Sequence, residues 1–184
     1  SYMNIFITGA TGFIGSVFLG TLLSRLTAED KVFILTRSLR QYTDNRIVQL
    51  VGSLEMLHKF KENILLSNYV FHIAAKSSLT GGKNYTEVNF ESTRDIVNIL
   101  KESKHLKKII YISSIAAVSR AKKDTCVSPI SAMSELYPTT EYGRSKLAAE
   151  KYIIDSGLPF VIIRPAFVYG KNMRDESHLS LIHI

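Results

Sequence analysis

The chain is poor in cysteine and in long apolar stretches, and each shortage excludes a class of protein. Cys126 is the single cysteine among 184 residues, which excludes an intrachain disulfide and suits a reducing compartment. No apolar run approaches the ~18 residues that a membrane-spanning helix needs, and no signal peptide precedes the first apolar segment. We therefore predict a cytoplasmic protein without a membrane partner.

Metal-ligand spacing and the composition of a nucleic-acid groove are missing as well. The five histidines show no spacing typical of a metal site, so we expect no metal. The net charge of +7 would suit a polyanion, but the densest basic clusters, 101–108 and 120–123, are not interleaved with aromatic residues. We therefore expect no nucleic-acid partner. The basic surface suits an anionic dinucleotide instead.

Glycine is concentrated at the amino terminus, in the stretch MNIFITGATGFIG at 3–15. An apolar run rich in β-formers, a G-x-x-G-x-x-G turn and a helix-like segment follow one another, which is typical of a phosphate-binding device. Gly9 permits the tight turn, Gly12 lets a pyrophosphate approach the backbone, and Gly15 lets the helix pack on the strand. The alternative is a glycine-rich turn without a ligand. The predicted binding turn comprises Gly9, Thr11, Gly12, Phe13, Ile14 and Gly15.

Strand-like and helix-like segments alternate along the whole chain, which predicts a parallel sheet covered on both faces. The predicted strands are 3–8, 31–36, 46–51, 69–73, 108–113 and 158–163, and the predicted helices are 13–26, 53–63, 85–103 and 141–156, with a polar loop at 119–139. We expect one domain over 1–170. The residues 171–184 then form a truncated or non-native tail.

Tyr142 and Lys146 stand four residues apart in a predicted helix, so their side chains share one face. A nearby ammonium stabilises a phenolate, which predicts a lowered pKa for Tyr142 and lets it exchange a proton with a substrate alcohol or carbonyl. Taken alone, a surface tyrosine–lysine pair explains the spacing equally well. Thr140 is a candidate N-cap of this helix, and His72 is expected to be a packed residue rather than a catalyst.

Ser113 and Ser114 end the fifth predicted strand, and ligands of open parallel sheets bind outside the carboxyl ends of the strands. A serine hydroxyl there can polarise a substrate oxygen beside Tyr142. The alternative role for the two serines is hydrogen bonding within the turn.

Six motifs, in order, resemble the extended short-chain dehydrogenase/reductases, also called the NAD-dependent epimerase/dehydratase family. They are TGATGFIG (8–15), VFHIAA (70–75), VNFEST (88–93), YISSIAAV (111–118), PTTEYGRSK (138–146) and RPAFVYG (164–170). The resemblance implies a doubly wound α/β Rossmann fold with strand order 3-2-1-4-5-6. It also implies a homodimer through the helices at 85–103 and 141–156, and a substrate domain that is largely missing after the sixth strand.

The same resemblance implies roles for individual residues. Tyr142 and Lys146 become the catalytic pair, which also contacts the cofactor, and Ser114 becomes the catalytic serine, with Ser113 as the alternative. Further implied cofactor contacts are Ser53, Leu54, Ala74, Ala75, Pro165 and Phe167.

The end of the second strand departs from the family's common pattern. An acidic residue often binds the adenosine ribose there, whereas this chain has Thr36-Arg37-Ser38. Arg37 would attract a 2′-phosphate, so we expect NADP(H) in preference to NAD(H). Ser53 replaces the usual aspartate after the third strand, which leaves a hydroxyl to bond the adenine.

Three functions remain open from these residues. The first is net reduction of a small-molecule aldehyde or ketone, as in dihydroflavonol-reductase-like enzymes. The second is a nucleotide-sugar epimerase or dehydratase, in which the hydride leaves and returns. The third is a non-catalytic NADP(H)-binding sensor or regulatory protein, which the presence of the Tyr142–Lys146 pair disfavours.

Overall fold

Strands and helices alternate along residues 1–74, 84–114 and 140–165, which a computed structural model describes. The elements are β1 (Asn4–Thr8), α1 (Phe13–Arg25), β2 (Lys31–Thr36), β3 (Ile47–Val51), a 3₁₀ helix (Leu54–Phe60), α2 (Lys61–Leu66), β4 (Tyr69–His72), α3 (Tyr85–Leu100), β5 (Lys108–Ile112), α4 (Glu141–Asp155) and β6 (Phe160–Ile163). The predicted loop at 119–139 and the tail at 171–184 lie outside the described residues.

The six strands form one parallel sheet in the order β3-β2-β1-β4-β5-β6. This confirms the predicted Rossmann-like topology. Because β2 and β4 flank β1, successive crossovers leave β1 in opposite directions, and a crevice opens at the carboxyl ends of β1 and β4.

Alternate side chains of β1 enter two separate cores on the two faces of the sheet. Ile5 and Ile7 join the cluster that holds Leu19 of α1. Phe6 joins the opposite cluster, to which α3 and α4 contribute Ile96 and Ile153. A strand buried on both faces needs apolar residues at every position, which explains the uninterrupted apolar run in β1.

The helix predicted at 53–63 is divided in the structure. A 3₁₀ helix covers Leu54–Phe60, and α2 follows over Lys61–Leu66. Leu54 and Leu57 are buried, and Phe60 packs against the same core. The 3₁₀ segment is kinked at Met56, whose backbone angles are not helical, so its turns do not form one continuous helix.

No helix in the described ranges has both the length and the apolar character needed to cross a bilayer.

Candidate active site

The glycine turn between β1 and α1 lies directly against the end of β4. Gly9 has a φ of +79°, and a Cβ there would lie 2.6 Å from the backbone nitrogen of Ala74. A Cβ on Gly15 would overlap the carbonyl oxygen of Gly9. The fold itself therefore requires glycine at both positions.

Gly12 differs from the other two glycines, because the nearest atom to a Cβ there would be the Gly9 carbonyl oxygen at 3.5 Å. The protein thus has room for a side chain at Gly12 and leaves that space open. Gly12 is also the N-cap of α1, which has neither a capping side chain nor an acidic residue in its first turn. An open backbone at an uncapped helix N-terminus fits the pyrophosphate of a dinucleotide.

A groove of about 690 Å³ runs between the glycine turn, α1 and the segment that follows β2. Thr11 lines it on the turn side, and Ser38 and Arg40 line it on the other. Arg40 is held to β3, since its backbone N–H donates to Oε1 of Gln49 at 2.8 Å. Arg37 is exposed just after β2 and is not part of this lining. Arg40 was not predicted as a site residue from the sequence.

The predicted adenine contacts after β3 have different surroundings. Ser53 is the half-buried N-cap of the 3₁₀ helix, without a hydrogen bond from its side chain to the helix. Leu54 is buried in the core cluster, so its side chain faces the protein interior.

A buried chain of hydrogen bonds joins the ends of β1 and β4 to α3. Thr8 Oγ1 accepts the backbone N–H groups of Ile73 and Ala74, each at 3.1 Å. Its own proton therefore points to Nδ1 of His72, 2.7 Å away. His72 then carries its proton on Nε2 and donates it to Oγ1 of Thr93 at 3.0 Å. His72 thus positions the strand end that carries Ala74, which bears out its prediction as a packed residue.

The imidazole of His72 is neutral in this network. Burial and, to a smaller extent, the charge of Lys146 lower the pKa of His72 to about 3. Tyr111 stacks beside it with the ring centroids 5.6 Å apart. A second positive charge beside Lys146 is therefore avoided.

Helix α4 presents Tyr142 and Lys146 to the carboxyl end of β5. The helix starts after Thr140, whose hydroxyl accepts the N–H of Gly143 at 2.9 Å, as the N-cap prediction requires. Lys146 Nζ donates to the carbonyl oxygen of Ile112 at 3.1 Å. The same nitrogen lies 5.9 Å from the centroid of the Tyr142 ring. The two side chains therefore share one face.

The pKa of Tyr142 moves in the direction opposite to our expectation. Burial raises the pKa of Tyr142, and the nearby Tyr85 raises it further. Desolvation is the largest cause, because burial disfavours the charged phenolate. Burial also lowers the pKa of Lys146 to about 8, against the opposing charge of Glu150. At neutral pH the pair holds a phenol and an ammonium.

The two serines at the end of β5 have different environments. Ser113 is buried, and its Oγ has no hydrogen-bond partner within the described residues. Its backbone N–H donates to the carbonyl oxygen of Ile163 at 2.7 Å. Ser114 is half-buried and has an interaction of its own. The choice between the two serines stays a prediction.

The remaining predicted site residues lie after β4 and after β6. Pro165 follows β6 and is half-buried, while Ala75 and Phe167 lie outside the described residues. Glu150 and Arg164, which form an ion pair beside Lys146, were missed. Glu150 could have been found from the sequence, because Tyr142, Lys146 and Glu150 follow one another at four-residue spacing and so share one helix face. Within the described ranges no group of three or more metal-ligating side chains comes together.

A parallel sheet in this order, with a glycine turn after β1 and a tyrosine–lysine pair at the end of β5, defines a dinucleotide-binding Rossmann domain of the short-chain dehydrogenase type. The chain belongs to the NAD dependent epimerase/dehydratase family, whose model matches residues 5–183.

Two curated relatives show the range of proteins to which the chain is similar. UDP-glucose 4-epimerase of Vibrio cholerae is 30% identical over 185 residues, which cover 93% of this chain and 53% of the relative. A 4-hydroxy-2-methyl-3-oxo-4-farnesyl-3,4-dihydroquinoline-1-oxide ketoreductase of Stigmatella aurantiaca is 20% identical over 177 residues, 91% of this chain and 51% of the relative. The chain spans about half the length of these two relatives.

A similar solved structure is that of the Bordetella bronchiseptica enzyme WbmH in complex with NAD+. It is 26% identical, with a TM-score of 0.75, and the match covers 97% of this chain and 60% of that one.

Proposed function

We propose that this chain is the cofactor-binding and catalytic part of an NADP(H)-dependent oxidoreductase that reduces the carbonyl carbon of a small molecule. The observation that carries the proposal is the Tyr142–Lys146 pair beside the end of β5, one strand away from the β4 end that touches the glycine turn. When bound, the cofactor supplies the hydride.

The protonation states of the pair support the direction of reduction. Because burial raises the pKa of Tyr142, its phenol keeps a proton at neutral pH and can donate it to the oxygen of a carbonyl group. Lys146 donates one hydrogen bond to Ile112 and retains two N–H groups. Those two N–H groups can hold ribose hydroxyls and favour the phenolate that forms after proton transfer.

The substrate oxygen would be held by a serine hydroxyl at the end of β5. Ser114 has this role in our prediction, and Ser113 is the alternative. The alternative stays open because the Oγ of the buried Ser113 has no hydrogen-bond partner in the part of the chain that the structure describes.

The preference for NADP(H) rests on the charge at the end of β2. Arg37 follows this strand where related proteins often have a carboxylate, and Arg40 lines the adjoining groove with Thr11 and Ser38. Guanidinium groups bind phosphate by charge-assisted hydrogen bonds, so both arginines favour a 2′-phosphate. The competing choice is NAD(H), since the WbmH structure contains NAD+.

Titration of the folded chain with NADPH and with NADH tests the cofactor preference. We expect Arg37→Asp and Arg40→Asp each to weaken NADPH binding by at least about tenfold while changing NADH binding little. Lys104→Asp, which makes the same charge change at an exposed site before β5, is the matched control. Equal losses for both cofactors would contradict the preference.

An epimerase or dehydratase of nucleotide sugars is the second candidate, and the relative named UDP-glucose 4-epimerase favours it. The two activities differ in their net consumption of NADPH, because a reductase consumes one NADPH for each product and an epimerase consumes none. NADPH absorbance followed in parallel with product formation decides between them. It is measured on this chain, and on the longer polypeptide if the gene encodes one.

A non-catalytic sensor remains the alternative of another class. It predicts NADPH binding without turnover, and a Tyr142→Phe protein that keeps its entire biological effect. The cytoplasmic location and the homodimer through α3 and α4 stay predictions, and light scattering on the purified chain tests the second.

A further inference from the structure

A buried carboxylate lies on the same face of α4 as the catalytic pair. Glu150 comes one helical turn after Lys146, and its side chain is fully buried. Its Oε1 accepts the Nε proton of Arg164, which follows β6, at 2.7 Å. Its Oε2 has no hydrogen-bond partner within the described residues. Arg164 therefore binds only one of the two carboxylate oxygens of Glu150.

Lys146 is a buried cation whose one hydrogen bond to a described residue goes to the neutral carbonyl group of Ile112. Tyr111 and Tyr142 present their rings to Nζ, at 5.0 and 5.9 Å from the ring centroids, and both are neutral as phenols. A buried ammonium requires a counter-charge. Glu150 lies on the next turn of the helix, and its charge raises the pKa of Lys146 against the effect of burial.

The titratable groups on the described elements around Lys146 are mostly neutral or cationic. From β4, His72 is neutral, and from β5, burial raises the pKa of Tyr111, which keeps its phenol neutral. From α3, the buried polar residues are Asn89, Ser92 and Thr93, which do not titrate, and Tyr85 acts on Tyr142. From the segment after β6, Arg164 is a second cation.

We propose that Glu150 is a positioning residue that keeps Lys146 protonated, and that Arg164 limits this effect because it shares the same carboxylate. This inference rests on the proposed function, since it assigns to Arg164, Glu150 and Lys146 one charge network that reaches the catalytic tyrosine. The ion pair between Arg164 and Glu150 also connects the residues that follow β6 to α4.

The network predicts opposite effects for its two outer members. Without the charge of Glu150, Lys146 loses its counter-charge and releases its proton at a lower pH. Without the charge of Arg164, Glu150 acts on Lys146 alone, and the ammonium persists to a higher pH. A residue pair with a purely structural role would not produce shifts of opposite sign.

The test is an NMR titration of the chain labelled with ¹³C at the lysine ε-carbons. The Lys146 signal is assigned by its loss in Lys146→Met. We expect the midpoint of Lys146 to fall by about one pH unit in Glu150→Gln and to rise by a similar amount in Arg164→Gln. Asp155→Asn, which removes an exposed carboxylate from the last turn of α4, should leave the midpoint unchanged.

Unchanged midpoints, or shifts of the same sign in both variants, overturn the proposal. If Glu150→Gln does not fold, Arg164→Gln alone decides, because an unchanged or lower midpoint contradicts the network. The titration needs neither cofactor nor substrate. Failure of NADPH binding or turnover would therefore count against the proposed function and leave the charge network standing. Where turnover is measurable, the upper pH limit of kcat should move with the Lys146 midpoint.

Discussion

Thr8 Oγ1 lies 2.7 Å from Nδ1 of His72, and this contact determines the tautomer of a fully buried imidazole. Because Thr8 already accepts two backbone N–H groups, it can only donate to His72. A protonated His72 would bring a second donor to this oxygen and lose the bond. The end of β4 that touches the glycine turn is thus held by a histidine that must stay neutral.

Acid should therefore destabilise the chain through His72. The pKa of His72 is about 3 in the folded chain, against about 6.5 when unfolded. The unfolded state binds the proton first, so the stability contributed by neutral His72 is complete above pH 6.5 and is lost as pH falls toward 3. Between pH 6.5 and 5 we expect a loss of about 2 kcal/mol in the free energy of unfolding.

Urea unfolding at both pH values measures this loss. His72→Gln should lose correspondingly less between the two, whatever its stability at pH 6.5. His105→Gln, at an exposed position, should behave like the unsubstituted chain. A pH dependence that is the same in all three proteins would contradict the assignment.

Lys146 predicts that stability also rises with pH in the alkaline range. The pKa of Lys146 is lowered to about 8 in the folded chain, so the folded state gives up its proton first as pH rises. Stability should increase between pH 8 and 10.5, by about 1 kcal/mol from pH 7.5 to 9. Lys146→Met should lack this increase, and denaturant unfolding at the two pH values tests it.

Two glycines of the turn should respond differently to alanine. Gly12→Ala has room for its methyl group, so we expect a loss of stability below about 1 kcal/mol and a loss of NADPH affinity of at least tenfold. Gly15→Ala should fail to fold, since its methyl group would overlap the Gly9 carbonyl oxygen. Circular dichroism with fluorescence titration separates the two effects. Normal NADPH binding by Gly12→Ala would exclude a pyrophosphate at this position.

Tyr142→Phe removes the proton donor and leaves the ring. Because the phenylalanine ring takes the place of the tyrosine ring on α4, NADPH affinity should stay within a few-fold of the original value. Hydride transfer should fall by about 10²–10⁴-fold, the usual contribution of a positioned acid. Single-turnover oxidation of NADPH by a responsive carbonyl compound is the measurement. Full activity in this variant would assign the proton to another group.

Local pattern was sufficient for the elements and for the turn. Apolar runs and a glycine spacing are short-range features, and they predicted β1, the glycine turn and α1. The strand order came from the six motifs and the family that they resemble. The 3₁₀ helix was missed because its three-residue spacing, Leu54, Leu57 and Phe60, also occurs on one side of an α-helix.

The electrostatics of the site were decided by the tertiary structure. From the sequence, Lys146 next to Tyr142 predicts a lowered phenol pKa, yet burial raises it. Glu150 and Arg164 are fourteen positions apart, and only the packing of α4 against the end of β6 pairs them. The sequence by itself therefore determined which groups are present and in which order the strands lie. Desolvation and ion pairing depend on contacts between distant segments, so the charge that each group carries emerged only with the fold.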